Sequence, residues 1–179
     1  PKKGFDTLLY ACRRLREQTA FRCEIIGEGP LRPKLEMLIR QLELERTVTL
    51  TGAVPHGFMP DAYARADVLA APSVQAADGD RDGLPNIVVE AMACGVPVVG
   101  SRFAGIPEAI DHESTGLLCQ PGNSAALATA LHRMLADGDL RARCVQRGRQ
   151  VVEEKFDAAR NSALVHEAIQ AVARRTPGG

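Results

Sequence analysis

The sequence predicts an α/β domain in which a parallel sheet carries helices on both faces. Three observations support this. Short apolar segments typical of buried strands alternate with longer segments whose apolar residues recur at helical spacing. Turns containing Gly or Pro separate these segments. The chain of 179 residues is long enough for one such domain with a sizeable core.

The first half of the chain predicts two helices that each precede a strand. Apolar residues over 5–15 have helical spacing, and 23–26 is a short strand that stops at a Gly-rich turn. A second amphipathic helix over 31–42 leads to a β-rich segment over 48–51, which ends at Gly52.

The second half continues the alternation of strands and helices. We expect a short helix at 57–66, a strand at 67–72, a polar loop at 73–83, a helix at 86–94, a strand at 96–99, a short helical piece at 106–111, a strand at 116–119 and three helices after 123. The last helix and the tail occupy about 157–179. Ligands bind outside the carboxyl ends of the strands in such sheets, so the segments to inspect are 27–30, 52–57, 73–86 and 101–108.

Composition excludes several classes of protein. Lys plus Arg equals Asp plus Glu at 22 each, which gives no general attraction to nucleic acid. The five cysteines form no CxxC pair, so we expect reduced thiols in a cytoplasmic protein. No apolar stretch is long enough for a transmembrane segment.

The segment DGDRDGLPNIVVEAMACG, 78–95, begins like an EF-hand calcium loop, with Asp78, Asp80 and Asp82 alternating. Such a loop needs a carboxylate at its twelfth position, but Val89 stands there and Glu90 misses by one. The sequence therefore argues against an EF-hand.

Asp78-Gly79-Asp80 also matches the DxD pair of metal-dependent sugar transferases. Two acids separated by one residue arise often by chance, so spacing alone leaves this reading open. The other reading is that Asp78 and Asp80 simply solvate a loop.

The start of the helix after this loop predicts an anion site. Pro85 stands near the first helical position, and the N–H groups of Asn86 and Ile87 then have no partner within the helix. These donors and the helix dipole suit a phosphate group. Glu90 lies about one turn further on, where an ion pair, exposure to water or a ligand such as ribose would each account for its charge.

These residues resemble a known family. Asp82-x7-Glu90 within DGLPNIVVEAMACGVPVVGS is similar to the E-x7-E segment of family-four retaining glycosyltransferases of GT-B architecture. KKGFDTLL, IIGEGPLRPKLE, VTLTGAVP, ADVLAAPS, GIPEAI and TGLLCQPGN follow in the order of that family's C-terminal half. The resemblance implies a single Rossmann-like domain over 1–179 that binds the nucleotide-sugar donor.

The resemblance also implies roles for three side chains. Glu90 would bind the ribose hydroxyls, and Lys3 would contact the diphosphate. Asp82 would contact the hydroxyls of the donor sugar, with a side chain one methylene shorter than the family's usual Glu.

Backbone groups would complete the donor site. The loop residues Gly83 and Leu84 and the helix residues Asn86 and Ile87 would approach the sugar and the diphosphate, whereas Pro85 has no N–H to contribute. A second set would border the base and the turn after the first strand: Gly52, Val54, Gly27 and Gly29. Glu108 and Thr115 also occupy family-like positions.

Two departures from the family pattern concern parts that lie outside this chain. The arginine that the family pairs with the lysine would precede Pro1. The N-terminal domain, which holds the acceptor site, is also absent from the sequence, so we expect the 179 residues alone to bind nucleotide weakly and to be inactive.

The expected function is donor binding in a retaining, metal-independent glycosyltransferase that uses a UDP or GDP sugar and no cofactor. Its partners would be the missing domain and a glycan or lipid-linked acceptor in polysaccharide biosynthesis. The parent enzyme would be cytoplasmic and peripheral at the inner membrane face. The alternatives are a non-catalytic nucleotide- or phosphate-binding or docking module and half of a nucleotide-sugar epimerase.

Overall fold

A computed structural model describes residues 2–75 and 83–156. Helices and strands alternate in these ranges as the sequence predicts. The elements are α1 Phe5–Leu15, β1 Cys23–Ile26, α2 Arg32–Gln41, β2 Val48–Gly52, a 3-10 turn His56–Phe58, α3 Met59–Ala64, β3 Leu69–Ala71, α4 Asn86–Ala93, β4 Val98–Ser101, α5 Ile106–Ala109, β5 Leu117–Cys119, α6 Ser124–Ala136 and α7 Gly138–Lys155.

The strands pair in parallel, as the alternation of elements requires. β1 pairs with β2, and β3, β4 and β5 form a second ladder in that order. The hydrogen bonds thus divide the strands into a group of two and a group of three, a division that the sequence does not reveal. Ile25 of β1, Val48 of β2 and Val99 of β4 nevertheless belong to one apolar cluster, so the two groups share a core.

Helices cover both faces of the three-stranded group. Adjacent residues of a strand point to opposite faces, and Leu117 and Leu118 of β5 enter different apolar clusters. The cluster of Leu117 contains residues of α1, α2 and α6. The cluster of Leu118 contains residues of α3, α4 and α5. This is the predicted Rossmann-like parallel sheet with helices on both faces.

The fourth strand begins two residues later than predicted, at Val98 rather than Val96. The N–H of Val96 donates to the carbonyl of Ala91 (2.8 Å) and so belongs to the C-terminal cap of α4. Pro97 has no N–H for a ladder. Gly100 and Ser101, which the sequence reading left outside the strand, pair with β5 instead.

Two of the three helices predicted after residue 123 are confirmed, α6 and α7. Asn123 caps α6 through its side chain, which accepts from the N–H of Ala126 (2.9 Å). Asp137 caps α7 in the same way, accepting from Leu140 (2.9 Å). The third predicted helix, within 157–179, lies outside the described residues.

Of the five cysteines, which we expect to be reduced and buried, Cys12, Cys119 and Cys144 are buried, Cys23 is half-buried and Cys94 is exposed. None of the helices within residues 2–75 and 83–156 is long and apolar enough to cross a bilayer.

Candidate functional site

Parallel pairing brings the loops after β1 and β2 together, and likewise the loops after β3 and β4. The segments 27–30, 53–55, 72–75 and 102–105 follow the carboxyl ends of β1, β2, β3 and β4. A direct contact joins the loop after β1 to the end of β2, because the N–H of Gly27 donates to the carbonyl of Gly52 (2.8 Å). Gly52, at the end of β2, therefore lies beside the loop that contains Gly29, and both are predicted site residues.

The beginning of the chain is attached to the loop after β3. The N–H of Val74 donates to the carbonyl of Lys2 (2.9 Å). Gly4 approaches Pro72 so closely that a Cβ at position 4 would lie 1.9 Å from the Pro72 carbonyl oxygen. These two contacts hold Lys3, whose side chain is exposed, at the carboxyl end of β3.

The N-terminus of α4 has the geometry expected of an anion site. Pro85 is its cap residue, with extended backbone (φ −66°, ψ 127°) and no side-chain hydrogen bond at the cap. The N–H of Val88 donates to the carbonyl of Pro85 (3.0 Å). Among the described residues, no acceptor bonds to the N–H groups of Asn86 and Ile87, and both residues are exposed.

The loop after β4 supports the bend that enters α4. A Cβ at Gly105 would lie 2.5 Å from the nitrogen of Leu84 and 2.9 Å from its Cα. The backbone of residue 105 is therefore in direct contact with the bend. Gly83, the exposed residue before Leu84, begins this bend.

Glu90 lies one turn inside α4 and is half-buried. Its hydrogen-bond partner among the described residues is a tyrosine and not the Lys or Arg of an ion pair. The hydroxyl of Tyr63, on α3, donates a hydrogen bond of 2.8 Å to Glu90 Oε2. Tyr63 is 4% exposed, and its pKa is raised above the usual value by burial first and then by the hydrogen bond to Glu90. No Lys or Arg within the described ranges forms an ion pair with Glu90.

The turn after β1 is held by an ion-pair network. Arg32 pairs with Glu28 (3.0 Å) and with Glu36 (2.9 Å), and also donates to the carbonyl of Leu50 (3.2 Å). The side chain of Glu28, which this pair holds, covers the backbone of Gly52: a Cβ there would lie 2.9 Å from Glu28 Oε1. Val54, predicted to border the base, is half-buried two residues further on.

Two of the family-like positions differ in what they offer a ligand. Glu108 is exposed on α5. Thr115 is 4% exposed, and its hydroxyl both donates to the carbonyl of Ala109 (3.1 Å) and accepts from the N–H of Asp111 (2.8 Å). The hydroxyl of Thr115 therefore closes the turn before β5, which argues against a ligand contact.

The acidic loop lies outside the described residues, so the roles assigned to Asp78, Asp80 and Asp82 stay predictions. Within the part of the chain that the structure describes, no three His, Cys, Asp or Glu side chains come together as a metal site.

A separate shallow depression of about 400 Å³ lies between β5 and α6. Its lining includes His112, Cys119 and Arg133. None of the predicted site residues within the described ranges lines it, and it is a second feature of the surface.

Sequence analysis does not single out Tyr63 or Gly105. For Tyr63 the one available signal is its position on a short helix between two alanines. A tyrosine buried there needs a hydrogen-bond partner for its hydroxyl. Nothing in the sequence near Gly105 indicates that position 84 approaches it.

Comparison with known structures defines the class of this protein. The chain superimposes on HepE of Anabaena, crystallised in complex with UDP, with a TM-score of 0.85 and 25% identity. The superposition covers 96% of this chain and 46% of HepE, the share expected of one domain, the C-terminal one, of a GT-B enzyme. The chain is thus a Rossmann-like α/β domain of the kind found in GT-B glycosyltransferases.

The family is shown by sequence as well. Residues 1–151 match the family described as Glycosyl transferases group 1, and the chain belongs to this family. It is 42% identical over 134 residues to the amylovoran biosynthesis glycosyltransferase AmsK of Erwinia amylovora, covering 74% of this chain and 33% of AmsK. It is 35% identical over 141 residues to a GDP-mannose-dependent alpha-(1-6)-phosphatidylinositol monomannoside mannosyltransferase of Mycobacterium tuberculosis (strain CDC 1551 / Oshkosh), covering 78% of this chain and 37% of that protein. The chain thus spans little more than a third of the curated relatives it matches.

Proposed function

We propose that this chain is the donor-binding domain of a retaining glycosyltransferase that uses a nucleoside diphosphate sugar. The observation that carries the proposal is the pairing of a helix N-terminus with a carboxylate one turn further along the same helix, α4. Donors at Asn86 and Ile87 suit a diphosphate, and Glu90 suits the two hydroxyls of a ribose. A nucleoside diphosphate carries both groups in one molecule.

Lys3 supplies the positive charge of the site. It follows Lys2, whose carbonyl is bonded to the loop after β3, and this loop leads toward the acidic segment and α4. In the transfer reaction negative charge develops on the leaving diphosphate. Fixed donors and a cation stabilise that charge by electrostatics, so the described residues need no metal for this step.

Asp82 is the proposed contact for the hydroxyls of the donor sugar, eight residues before Glu90. The bend at Gly83 and Leu84, which Gly105 supports, brings the chain from Asp82 to the helix. Gly29, Gly52 and Val54 complete the proposed site on the side of β1 and β2, where the base would lie.

The donor is a UDP or a GDP sugar. HepE was crystallised with UDP, whereas the mycobacterial relative is named for GDP-mannose. AmsK is named for the synthesis of amylovoran, which supports polysaccharide biosynthesis and a glycan or lipid-linked acceptor. The acceptor would bind a further domain of the whole enzyme, cytoplasmic and peripheral at the inner membrane face, and the 179 residues alone would not turn over substrate.

Isothermal titration calorimetry of the 179-residue chain with UDP and GDP tests the proposal. Glu90→Gln removes the charge that accepts the ribose hydroxyls. The loss should be about 10- to 100-fold in affinity, the range for a hydrogen bond to a charged group. Glu45→Gln, at an exposed position, is the control with the same change of charge and should bind as the wild type does.

Two outcomes would contradict the proposal. One is equal affinity in Glu90→Gln and Glu45→Gln, and the other is an absence of binding by both nucleotides. Asp78→Ala, measured with and without EDTA, addresses the DxD reading separately. We expect the nucleotide affinity to be the same with and without Asp78→Ala and with and without EDTA. A loss of affinity on substitution of Asp78 or on addition of EDTA would favour a metal-dependent transferase.

A further inference from the structure

The hydrogen bond between Tyr63 and Glu90 joins two helices that are separated by a strand and a long loop. Tyr63 lies on α3 and Glu90 on α4, 27 residues apart in the chain. The distance of 2.8 Å between the phenol oxygen and Oε2 is that of a good O–H···O bond. Tyr63 is 4% exposed, so this carboxylate replaces water as the acceptor for its hydroxyl.

The ring of Tyr63 is held in place by packing. It belongs to the apolar cluster that contains Val88 and Met92, which lie on either side of Glu90 in α4. The helix that presents the carboxylate therefore contributes to the same packed cluster as the ring whose hydroxyl meets it. Burial and the bond to Glu90 raise the pKa of Tyr63, so the hydroxyl stays protonated and stays a donor at every pH at which a ribose would bind.

The hydrogen bond from Tyr63 occupies Oε2 of the Glu90 carboxylate and leaves Oε1 as an acceptor for a ligand. Within the described residues, no side chain or backbone N–H donates to Glu90 Oε1. A glutamate has three rotatable bonds, and an anchored oxygen removes much of the entropy that a ligand would otherwise have to overcome. The hydrogen bond therefore prepares the carboxylate for a ligand that donates two hydroxyl protons to it.

We propose that Tyr63 is a positioning residue for ribose recognition: its hydroxyl anchors Glu90 Oε2 so that the carboxylate meets the vicinal diol of the donor nucleotide in a fixed orientation. This inference rests on the proposed function. It adds a residue that does not touch the nucleotide and that acts through Glu90 alone.

The test separates positioning from a purely structural role by removing the diol from the ligand. Tyr63→Phe keeps the ring and deletes the hydroxyl. Calorimetry compares UDP, or GDP if that is the nucleotide the wild type binds, with its 2′,3′-dideoxy analogue. We expect Tyr63→Phe to weaken binding of the ribonucleotide by about 3- to 10-fold, less than Glu90→Gln does because the carboxylate itself remains, and to leave the dideoxy analogue unchanged.

Two further variants complete the cycle. Tyr10→Phe is the matched control, because Tyr10 is the other tyrosine of the chain and is 48% exposed. It should bind both nucleotides as the wild type does. In the Glu90→Gln background, Tyr63→Phe should cause little additional loss, because residues that act as a unit are not additive.

The outcomes distinguish this inference from the proposed function. Equal weakening of both nucleotides by Tyr63→Phe, or no weakening of either, would overturn the positioning role while Glu90→Gln still abolishes the preference for ribose. A wild type without any preference for the ribonucleotide, or a Glu90→Gln variant that keeps it, would overturn the proposed function and the inference together.

A second measurement keeps the test valid if Tyr63→Phe fails to fold. In the Tyr10→Phe protein labelled with ¹³C-tyrosine, the single Cζ signal belongs to Tyr63 and reports its hydrogen bond. This signal should shift on titration with the ribonucleotide and stay in place with the dideoxy analogue. Identical responses to the two ligands would contradict the proposal.

Discussion

Gly4 and Pro72 are in backbone contact: a Cβ at position 4 would lie 1.9 Å from the Pro72 carbonyl oxygen. Gly4 also has φ 64° and is the cap residue at the start of α1. Glycine meets both demands, since the left-handed conformation is strained for other residues and the space for a side chain is filled by backbone. This contact, with the bond from Val74 to Lys2, fixes the path of the chain at Lys3.

Gly4→Ala should therefore destabilise the protein by about 2–4 kcal/mol, from the strain of positive φ and the collision with Pro72. Urea denaturation followed by circular dichroism measures the free energy of unfolding. Gly138→Ala is the control, because Gly138 has open space around it and begins α7. Equal stability of the two variants would show that the contact with Pro72 is unimportant.

Gly105→Ala tests the support of the bend at Leu84. The added Cβ would lie 2.5 Å from the Leu84 nitrogen, so the bend must move. We expect a loss of stability of about 1–3 kcal/mol, typical of overpacking, and a loss of nucleotide affinity of about 10-fold, because displaced donors bind a phosphate less well. Gly57→Ala, with no atom near its Cβ, should change neither the unfolding curve nor the calorimetric titration. Full nucleotide affinity in a folded Gly105→Ala protein would exclude this role of the bend.

The ion pair of Glu113 and Arg133 predicts a pH dependence of stability. The side chain of Arg133 bonds to the carboxylate of Glu113, and this bond and the charge of Arg133 lower the pKa of that carboxyl group. A group with a lowered pKa in the folded state stabilises the protein above the pKa of the unfolded state, and the contribution is lost as pH falls through the folded value. Arg133→Gln should therefore lower Tm at neutral pH, and the difference from the wild type should vanish in acid.

Thermal unfolding between about pH 3 and pH 7 measures this difference, where the ordinary pKa of a glutamate is about 4.3. Because both side chains are largely exposed, added salt should reduce the difference as well. Arg149→Gln is a control on α7, where Arg149 pairs with Glu153 (3.3 Å) and the two side chains are more exposed, at 66% and 68%. A Tm difference for Arg133→Gln that persists unchanged at low pH would contradict the prediction.

Thiol labelling should separate Cys94 from the other cysteines. Cys94 is exposed at the C-terminal end of α4, whereas Cys12, Cys119 and Cys144 are buried. Burial raises the pKa of Cys119 and of Cys144, and less thiolate means slower reaction. A disulfide reagent at about pH 8, close to the ordinary thiol pKa, should thus react with Cys94 in a fast phase and with these three buried thiols slowly.

The fast phase should disappear in Cys94→Ser. Labelling of the buried Cys12, Cys119 and Cys144 in that variant should require urea, because unfolding must first expose them. A fast phase of the same amplitude in Cys94→Ser would show that one of the buried thiols is accessible in the folded protein.

Local sequence determined most of the secondary structure. α1 follows from apolar residues at helical spacing, and β1 and β2 follow from short apolar segments that stop at glycines. The start of β4 does not follow from local sequence, because the apolar run from Val96 to Val99 does not show where the cap of α4 ends and the strand begins at Val98. Hydrogen bonding decides where the strand starts, since the N–H of Val96 donates to the carbonyl of Ala91 and so belongs to the cap of α4.

The candidate site was predictable in part for the same reason. Pro85, the N–H groups after it and Glu90 are neighbours along one helix, so their spacing in the sequence is already a spacing in the structure. The roles of Lys3 and Asp82 came from resemblance to a family and remain predictions.

The sequence by itself determined the order of helices and strands, the apolar faces that bury them and the start of α4, because these depend on residues within a few positions of each other. Only the tertiary structure decided that Tyr63 meets Glu90, that Gly105 supports Leu84 and that Gly4 lies on Pro72. Each of these contacts joins segments about 20 or more residues apart, and their distances follow from how helices pack on the sheet. Local patterns carry no information on that packing.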